Sequence, residues 1–201
     1  MSDDLESFDL TSLVNDNVAC ITKFANEIDI NSCLSVYRVL RDTDCIYFTG
    51  VGKNFHVSTI IASTFNSLTI RSICVDPVAC VHGDMGLIQD GSVVVMISKS
   101  GNTQELDYFC RKLRSRGCGS RIILIHSNKD ASLKQYSDYD LFVPFTKEAD
   151  PWNRVPTSSL VCYLMLLHGL GMQIVKHRGV TVDDFYRNHP GGDIGRKSGH
   201  G

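Results

Sequence analysis

The sequence predicts an α/β protein, a three-layer α/β/α sandwich built around a five-stranded parallel sheet. Two observations support this prediction. Short runs of apolar and β-branched residues alternate with segments of helical periodicity along most of the chain. The runs are apolar almost without interruption, which is typical of parallel strands that are buried on both faces.

The elements follow in a regular order. Five strands are predicted at Cys45–Thr49, Ile70–Val75, Ser92–Ile97, Arg121–Ile125 and Tyr139–Val143. Helices are predicted at Leu10–Ile28, Asn31–Arg41 (with Asn31 as N-cap), Asn54–Leu68, near Val81–Ile88, Thr103–Arg116, Ala131–Tyr136, about Thr157–Lys176 and near Val182–Asn188. The long closing helix is apolar on nearly all sides, which indicates burial within its own domain or at an oligomer interface.

Composition is that of a globular protein. Of 201 residues, 43% are hydrophobic and 21% are charged, and the formal net charge is −2. Lysine and arginine are scattered, which argues against a nucleic-acid partner. We expect a single folded unit, with N-terminal helices in residues 1–44 packing on a domain that spans residues 45–201.

Three features favour a cytoplasmic protein. The eight cysteines contain no CxxC pair and no zinc-type spacing, which is consistent with free thiols in a reducing compartment. The acidic N-terminus has no apolar signal core. The longest apolar stretch, Leu160–Val175, is shorter than the roughly 20 residues of a membrane span. We therefore expect a buried helix there and no membrane partner.

Ligands of parallel sheets bind at the carboxyl ends of the strands, so the loops there are the candidate site. The first loop, YFTGVGKNFH, follows the first strand. Phe55 stands where a dinucleotide loop needs its last glycine, and Tyr47 and Asn54 break the P-loop pattern. A glycine turn and Lys53 remain, which suit a single phosphate or a sugar oxygen. A tight turn with an exposed lysine explains them equally well.

The second loop, ISKSGNTQEL, follows the third strand. Ser98, Ser100 and Thr103 place three hydroxyls around Gly101, at the positive end of a helix. An ordinary cap by Asn102 or Thr103 is the simpler alternative. Because one hydroxyl would suffice for a cap, the pattern favours a site for a phosphate dianion.

Further polar groups follow the other strands. His82 comes after the second strand, Lys147 and Glu148 after the fifth, and His189 lies in a turn near the C-terminus. Each alone is consistent with ordinary turn or capping chemistry. Together, two hydroxyl-rich loops, a lysine, two carboxylates and two histidines suit a phosphorylated sugar and proton transfer beside a carbonyl. No metal or other cofactor is expected.

These motifs resemble the SIS (sugar isomerase) domain family. The resemblance covers residues 45–197 and rests on GVGKNFH, HGDMGLI, SKSGNTQE, TKEADP, VPTSS, DDF and HPGGDIGRK. Within the family, the motifs around Glu148, Ser159 and His189 are similar to the arabinose-5-phosphate isomerases. The resemblance implies a flavodoxin-like sheet, interconversion of D-arabinose 5-phosphate and D-ribulose 5-phosphate through a cis-enediol for Kdo and lipopolysaccharide synthesis, and a homotetramer with active sites between subunits.

The resemblance also implies roles for individual residues. The catalytic set is Lys53, His82, Glu105, Glu148 and His189. The substrate and phosphate ligands are Gly52, Asn54, Ser98, Ser100, Gly101, Thr103, Thr157, Ser158 and Ser159. Our hypothesis makes Glu148 and His189 the acid–base pair, with His82 and Glu105 assisting and Lys53 stabilising the enediolate oxygens.

Some positions depart from the family pattern. Val51, Asn54 and Phe55 replace a lysine, a serine and a glycine, Lys99 replaces an asparagine, and Asn102 replaces a glutamate. The sequence stops after GRK, where full-length relatives continue into paired CBS domains, so we expect a form with the SIS domain alone. Two alternatives remain: an isomerase of another phosphosugar, and a phosphosugar sensor without catalysis.

Overall fold

The computed structural model describes residues 9–197 and confirms the parallel sheet. Its strands are β1 (Ile46–Gly50), β2 (Ser72–Cys74), β3 (Val93–Ile97), β4 (Arg121–His126) and β5 (Tyr139–Phe142). All neighbours pair in parallel, in the order β2-β1-β3-β4-β5. This is the flavodoxin-like order, in which the direction of winding changes between β1 and β3.

Helices cover both faces of the sheet. They are α1 (Leu10–Glu27), α2 (Ile30–Arg41), α3 (Lys53–Ser67), α4 (Pro77–Cys80), α5 (Gln104–Ser115), α6 (Ser158–Arg178), α7 (Val182–Arg187) and α8 (Gly192–Lys197), with 3₁₀ turns at Asp84–Leu87 and Ser132–Tyr136. The predicted strands and long helices agree with these bounds within about two residues, the precision expected at element ends.

The core has two halves, one on each face of the sheet. Alternate residues of β1 and β3 supply each half, as the two-residue period of a strand requires. Ile46, Phe48, Val93, Val95 and Ile97 pack against α1, α2, α3 and α6. Tyr47, Val94 and Met96 pack against α4, α5 and the 3₁₀ turns. Both strands are buried at every position, which explains their uninterrupted apolar sequences.

Helices α1 and α2 share the first half of the core. Cys20 and Phe24 of α1 and Leu40 of α2 are buried in the same cluster as α6. The proposed boundary between residues 44 and 45 stays a prediction, and its two units extend to residues 1–8 and 198–201, outside the described range.

Two local predictions were wrong. The N-cap of α2 is Asp29 rather than Asn31, because the Asp29 carboxylate accepts a hydrogen bond from the Asn31 backbone N–H at 2.9 Å. The segment near Val81–Ile88 forms no single helix. It holds the 3₁₀ turn, which begins after Gly83 at φ 138°, while α4 ends earlier at Cys80.

Helix α6 is the predicted core helix, and it is longer than expected. By length and composition alone it could cross a membrane, and it is the one helix within residues 9–197 that meets this test. The argument that the stretch was too short was therefore wrong, because the helix continues through His168 and its glycines without a break. Half of its apolar window is buried in the fold, and Tyr163 and Leu167 are fully buried.

The two glycines of α6 give a matched test of its packing against α3. A Cβ at Gly171 would lie 2.6 Å from a ring carbon of Phe65, whereas a Cβ at Gly169 would meet nothing within 4 Å. Phe65 is fully buried and packs edge-on against Phe48, so its ring has no room to move. We expect Gly171→Ala to lower the free energy of unfolding by about 1–3 kcal/mol.

Gly169→Ala serves as the control for that substitution. Because alanine has the higher helix propensity, this variant should raise the free energy of unfolding by up to about 1 kcal/mol. Urea unfolding of both variants measures the difference. Equal stabilities would show that the close approach of α6 to α3 does not depend on Gly171.

Candidate active site

An open cleft of about 530 Å³ lies at the carboxyl ends of β1, β3, β4 and β5. This is the edge where parallel sheets bind ligands, and it includes the change of winding between β1 and β3. Every strand except the edge strand β2 sends its following loop to the cleft. The lining residues are Asn54, Lys99, Ser100, Thr103, Ser127, Asn128, Phe145, Thr146 and Asn153.

The loop after β3 forms one wall, and its hydroxyls hold its shape. The Ser98 and Thr103 hydroxyls are hydrogen bonded to each other at 2.9 Å, and the Gly101 N–H donates to the Ser98 hydroxyl at 3.1 Å. Asn102 accepts a bond from the Ser132 backbone N–H at 2.8 Å, which ties the loop to the 3₁₀ turn after β4.

This geometry disfavours the simple capping interpretation of the loop. Thr103 occupies the N-cap position of α5, but its hydroxyl is directed to Ser98 rather than to the first turn of the helix. Asn102 is likewise used elsewhere. The first N–H groups of α5, which carry the positive end of the helix dipole, therefore remain for water or a ligand, as an anion site requires.

Gly101 is required at the base of this loop for two reasons. Its φ is 62°, a left-handed conformation that other residues adopt at a cost. A Cβ at this position would also lie 2.2 Å from the Cβ of Ala131. Gly101 therefore has a structural role, as the point where the loop packs on the segment after β4.

Glu148 lies behind the opposite wall, with its side chain fully buried. Its Oε1 accepts bonds from Lys99 Nζ at 2.6 Å and from the Ser159 hydroxyl at 2.6 Å. Its Oε2 accepts from the Thr157 N–H at 2.8 Å, the Ser159 N–H at 3.2 Å and the Thr157 hydroxyl at 3.2 Å. Glu148 thus caps the start of α6 while it forms an ion pair with the loop after β3.

These contacts determine the protonation state of Glu148. Burial by itself raises the pKa of the carboxyl group, because it removes water from the charged form. The hydrogen bonds from Lys99, Ser159 and the backbone of α6 outweigh burial, and the net pKa is lowered from its ordinary value of 4.5. Glu148 is therefore a carboxylate at neutral pH.

The three hydroxyls at the start of α6 are directed away from the cleft. Thr157 and Ser159 bind Glu148, and the buried Ser158 donates to the Asn17 side chain of α1 at 2.7 Å. The structure thus gives their predicted role in phosphate binding no geometric support in this chain. Their contacts fix α6 and α1 relative to the cleft instead.

The first loop contributes to the rim. Gly52 has φ 60° and is the N-cap of α3, and Lys53 is its exposed first residue. Asn54 lines the cleft itself. The loop thus places Lys53 and Asn54 beside the loop after β3, as the parallel pairing of Gly50 with Ile97 dictates.

His82 and Glu105 lie together in a second cleft of about 410 Å³. It is also lined by Pro77, Val78, Val81, Gln104 and Tyr108. Thr103 lines the first cleft and Glu105 the second, so the start of α5 separates the two. The structure therefore brings His82 and Glu105 to the same edge of the sheet, across α5 from Lys99.

His189 lies apart from these groups. It follows α7 and is held by a 2.8 Å hydrogen bond from its Nδ1 to the Phe185 carbonyl, with the two rings 4.1 Å apart. Asn188 donates to the carbonyls of Asn66 and Ser67 at the far end of α3. Since α3 has 15 residues, that end is about 22 Å from the cleft. Within one chain, His189 does not join the site.

Sequence reasoning missed several residues of the cleft as functional candidates. Ser127 and Asn128 follow β4, and Phe145, Thr146 and Asn153 follow β5. Asn128 donates to the Ser100 carbonyl at 2.8 Å, and Asn153 accepts from the Glu148 N–H at 2.7 Å. The signal that could have found them is position alone, because each lies in a loop at the carboxyl end of a predicted strand.

Comparison with known proteins points to one family. A model of the SIS domain family matches residues 39–172. The arabinose 5-phosphate isomerase KdsD of Escherichia coli (strain K12) is 32% identical over 178 residues, which cover 89% of this chain and 54% of that protein. An uncharacterized protein of Chlamydia pneumoniae is 35% identical over 161 residues, 80% of this chain and 48% of that protein. The chain spans about half the length of the curated relatives it matches.

Solved structures confirm the fold. An Escherichia coli CFT073 protein in complex with arabinose 5-phosphate has a TM-score of 0.84 at 24% identity and covers 91% of this chain and 100% of its own. The Vibrio vulnificus NanR protein complexed with ManNAc-6P has a TM-score of 0.74 at 14% identity and covers 94% of this chain and 70% of its own. Two chains that bind different phosphosugars thus share this architecture.

Glu148→Gln tests the buried carboxylate. Because the substitution leaves the Lys99 ammonium and the start of α6 without their anion, we expect the free energy of unfolding at pH 7 to fall by roughly 3 kcal/mol. The lowered pKa of Glu148 stabilises the wild type above pH 4.5, and this contribution is lost as the pH falls through the lowered pKa. The stability difference between wild type and variant should therefore shrink in acid.

Urea unfolding between pH 3 and pH 7 measures this difference, with Glu105→Gln as the control. Glu105 is an exposed carboxylate on the same edge of the sheet, and its replacement should change stability by less than about 0.5 kcal/mol. If the stability difference for Glu148→Gln stayed constant with pH, the ion pair would not be the stabilising contact.

Proposed function

The chain belongs to the SIS domain family, and from this membership we propose that it is a phosphosugar isomerase that interconverts D-arabinose 5-phosphate and D-ribulose 5-phosphate. The relatives named as arabinose 5-phosphate isomerases, at 32–33% identity, favour this substrate pair. The observation that carries the proposal is the cleft, in which hydroxyls, the free start of α5 and one ammonium converge without an acidic side chain on the lining. Such a lining suits a phosphate dianion attached to a neutral, hydroxylated body.

The proposed reaction needs two proton movements. A base removes the C2 proton of the aldose while the O1 carbonyl gains a proton, which gives a cis-enediol. The O2 hydroxyl then loses its proton as C1 gains one, and the carbonyl forms at C2. An ammonium or other donor near O1 and O2 stabilises the charge that develops there. Exposed Lys53, at the rim of the cleft, is our candidate for that donor.

The environment of Glu148 refines the roles of the acid–base groups. Five donor groups surround its carboxylate, which is fully buried behind the cleft wall. This favours a positioning role for Glu148, which holds α6 and Lys99 in place. The proton transfers are then assigned to His189, with His82 and Glu105 of the second cleft assisting.

The position of His189 favours active sites that form between subunits. Since His189 is about one α3 length from its own cleft, it would have to serve the cleft of a partner copy. Exposed apolar side chains offer contact surfaces for such an assembly. They include Leu10, Leu13, Val14 and Val18 on α1 and Val161, Met165 and Met172 on α6. We therefore propose a homotetramer in the cytoplasm, whose product supplies Kdo synthesis.

Turnover of a panel of phosphosugars tests the reaction. Purified protein, without added metal, should interconvert D-arabinose 5-phosphate and D-ribulose 5-phosphate faster than any hexose or heptose phosphate in the panel. Replacement of both Ser100 and Thr103 by alanine should raise KM at least about tenfold, because two cleft hydroxyls are lost.

Two outcomes would contradict this function. Faster turnover of another phosphosugar would assign the isomerase to that substrate. Tight binding of a phosphosugar without turnover would favour the sensor, a role for which the NanR likeness gives the fold precedent. A neutral sugar, D-arabinose, serves as the control for the need for phosphate.

Subunit complementation tests the shared site. Lys53→Ala and His189→Ala should each lose activity by about 10² to 10⁴-fold, because each removes a proposed catalytic group. After unfolding and refolding as an equal mixture, about a quarter of the wild-type rate should return, since one random pairing in four combines both intact groups. Recovery that stays at the level of the single variants would place both residues in the same subunit's site.

A further inference from the structure

Lys99 stands out among the residues of the cleft. Of the nine described residues that line it, Lys99 is the one that carries a charge, and the others are amides, hydroxyls and Phe145. The electrostatic attraction of the cleft for an anion therefore comes from this side chain and from the backbone amides at the start of α5.

The ammonium is held in place by two contacts. Lys99 Nζ lies 2.6 Å from Glu148 Oε1 and 4.7 Å from the centre of the Phe145 ring. The Lys99 backbone is also fixed, because its carbonyl accepts a bond from the Ser127 N–H at 3.0 Å. A lysine loses much rotamer freedom when it binds a ligand, and here part of that loss has already occurred on folding.

The ammonium also remains available to a ligand. A lysine has three N–H donors, and within the described residues Nζ donates one hydrogen bond, to Glu148. The Lys99 side chain is 32% exposed and the Glu148 side chain 0%, so the ion pair presents its cationic end to the cleft. An anion that enters the cleft meets Lys99 and is screened from Glu148 by it.

Ser100 and Thr103, which belong to the same loop, line the cleft beside Lys99. An oxyanion bound at the start of α5 would therefore lie next to the ammonium as well. A phosphate dianion has three terminal oxygens, enough to accept bonds from the loop amides, the hydroxyls and an ammonium together.

We propose that Lys99 is the specificity-determining residue of the cleft, and that its ammonium, held between Glu148 and Phe145, binds the phosphate group of the substrate directly. The inference rests on the proposed function and deepens it. Glu148 positions the lysine, and the lysine makes the cleft selective for dianionic sugars over neutral ones. The loop thus binds phosphate with a charged side chain in addition to its amides.

A simple removal of Lys99 would leave Glu148 buried without its cation, so a variant such as Lys99→Met risks misfolding. The test therefore compares Glu148→Gln, which keeps the lysine, with the double variant Lys99→Met/Glu148→Gln, which removes both charges. Lys99→Arg keeps the cation in another shape. Lys129→Met is the charge control, because Lys129 also lies over an aromatic ring, that of Phe142 at 5.8 Å, but outside the lining of the cleft.

Binding of inorganic phosphate, arabinose 5-phosphate and neutral D-arabinose is measured by titration calorimetry. The single tryptophan, Trp152, gives a second readout by fluorescence, since it is exposed and adjacent to the cleft residue Asn153. The double variant should bind arabinose 5-phosphate and inorganic phosphate about 10- to 100-fold more weakly than Glu148→Gln. Lys99→Arg should stay within a few-fold of the wild type, Lys129→Met should match it, and D-arabinose should be unaffected throughout.

A dependence on salt gives an independent check. Binding of both phosphate ligands to the wild type and to Glu148→Gln should weaken as ionic strength rises, and this dependence should be smaller in the double variant. Equal affinity of the double variant and Glu148→Gln for both ligands would overturn the role of Lys99 while leaving the isomerase proposal intact. Absence of phosphosugar turnover in a wild type that binds phosphate through Lys99 would overturn only the proposed function. If the wild type bound neither phosphate ligand, both proposals would fail.

Discussion

A buried ion pair between Glu148 and Lys99 organises this protein. A carboxylate without solvent contact is costly unless donors surround it, and Glu148 receives them from three residues. Lys99 comes from the loop after β3, and Thr157 and Ser159 come from the start of α6. The pair therefore fixes two loops and the longest helix relative to one another at the carboxyl edge of the sheet.

This interaction gives the two helices at the cleft different tasks. The positive end of α6 is neutralised inside the protein by Glu148, so α6 serves as a structural core helix. The positive end of α5 keeps its first amides free, because the hydroxyl of its N-cap residue Thr103 is bonded to Ser98. One helix terminus is thus used for folding and the other stays available to an anion. The separation explains why the hydroxyls of Ser158 and Ser159 are turned inward while Ser100 lines the cleft.

How much could be predicted from the sequence differs between the fold and the site. The strands were predictable because β1 and β3 are buried on both faces, and such strands must be apolar at every position. The N-cap of α2 was predicted too late in the chain, because Asp29 and Asn31 are both good capping residues and only the backbone geometry distinguishes them. The loop after β3 was recognisable from its density of hydroxyls. The burial of Glu148 left no trace in the sequence, since a glutamate in a polar loop is more often exposed.

The sequence by itself determined the order of the elements, the edge of the sheet that carries the cleft, and the family, because these depend on local periodicity and on motifs read along the chain. The tertiary structure decided which polar groups meet. It paired Glu148 with Lys99 across 49 residues of chain, directed three predicted phosphate ligands to internal contacts, and placed His189 beyond the far end of α3. The physical reason is that a side chain's partners are set by the packing of distant segments, which the spacing of residues along the chain does not encode.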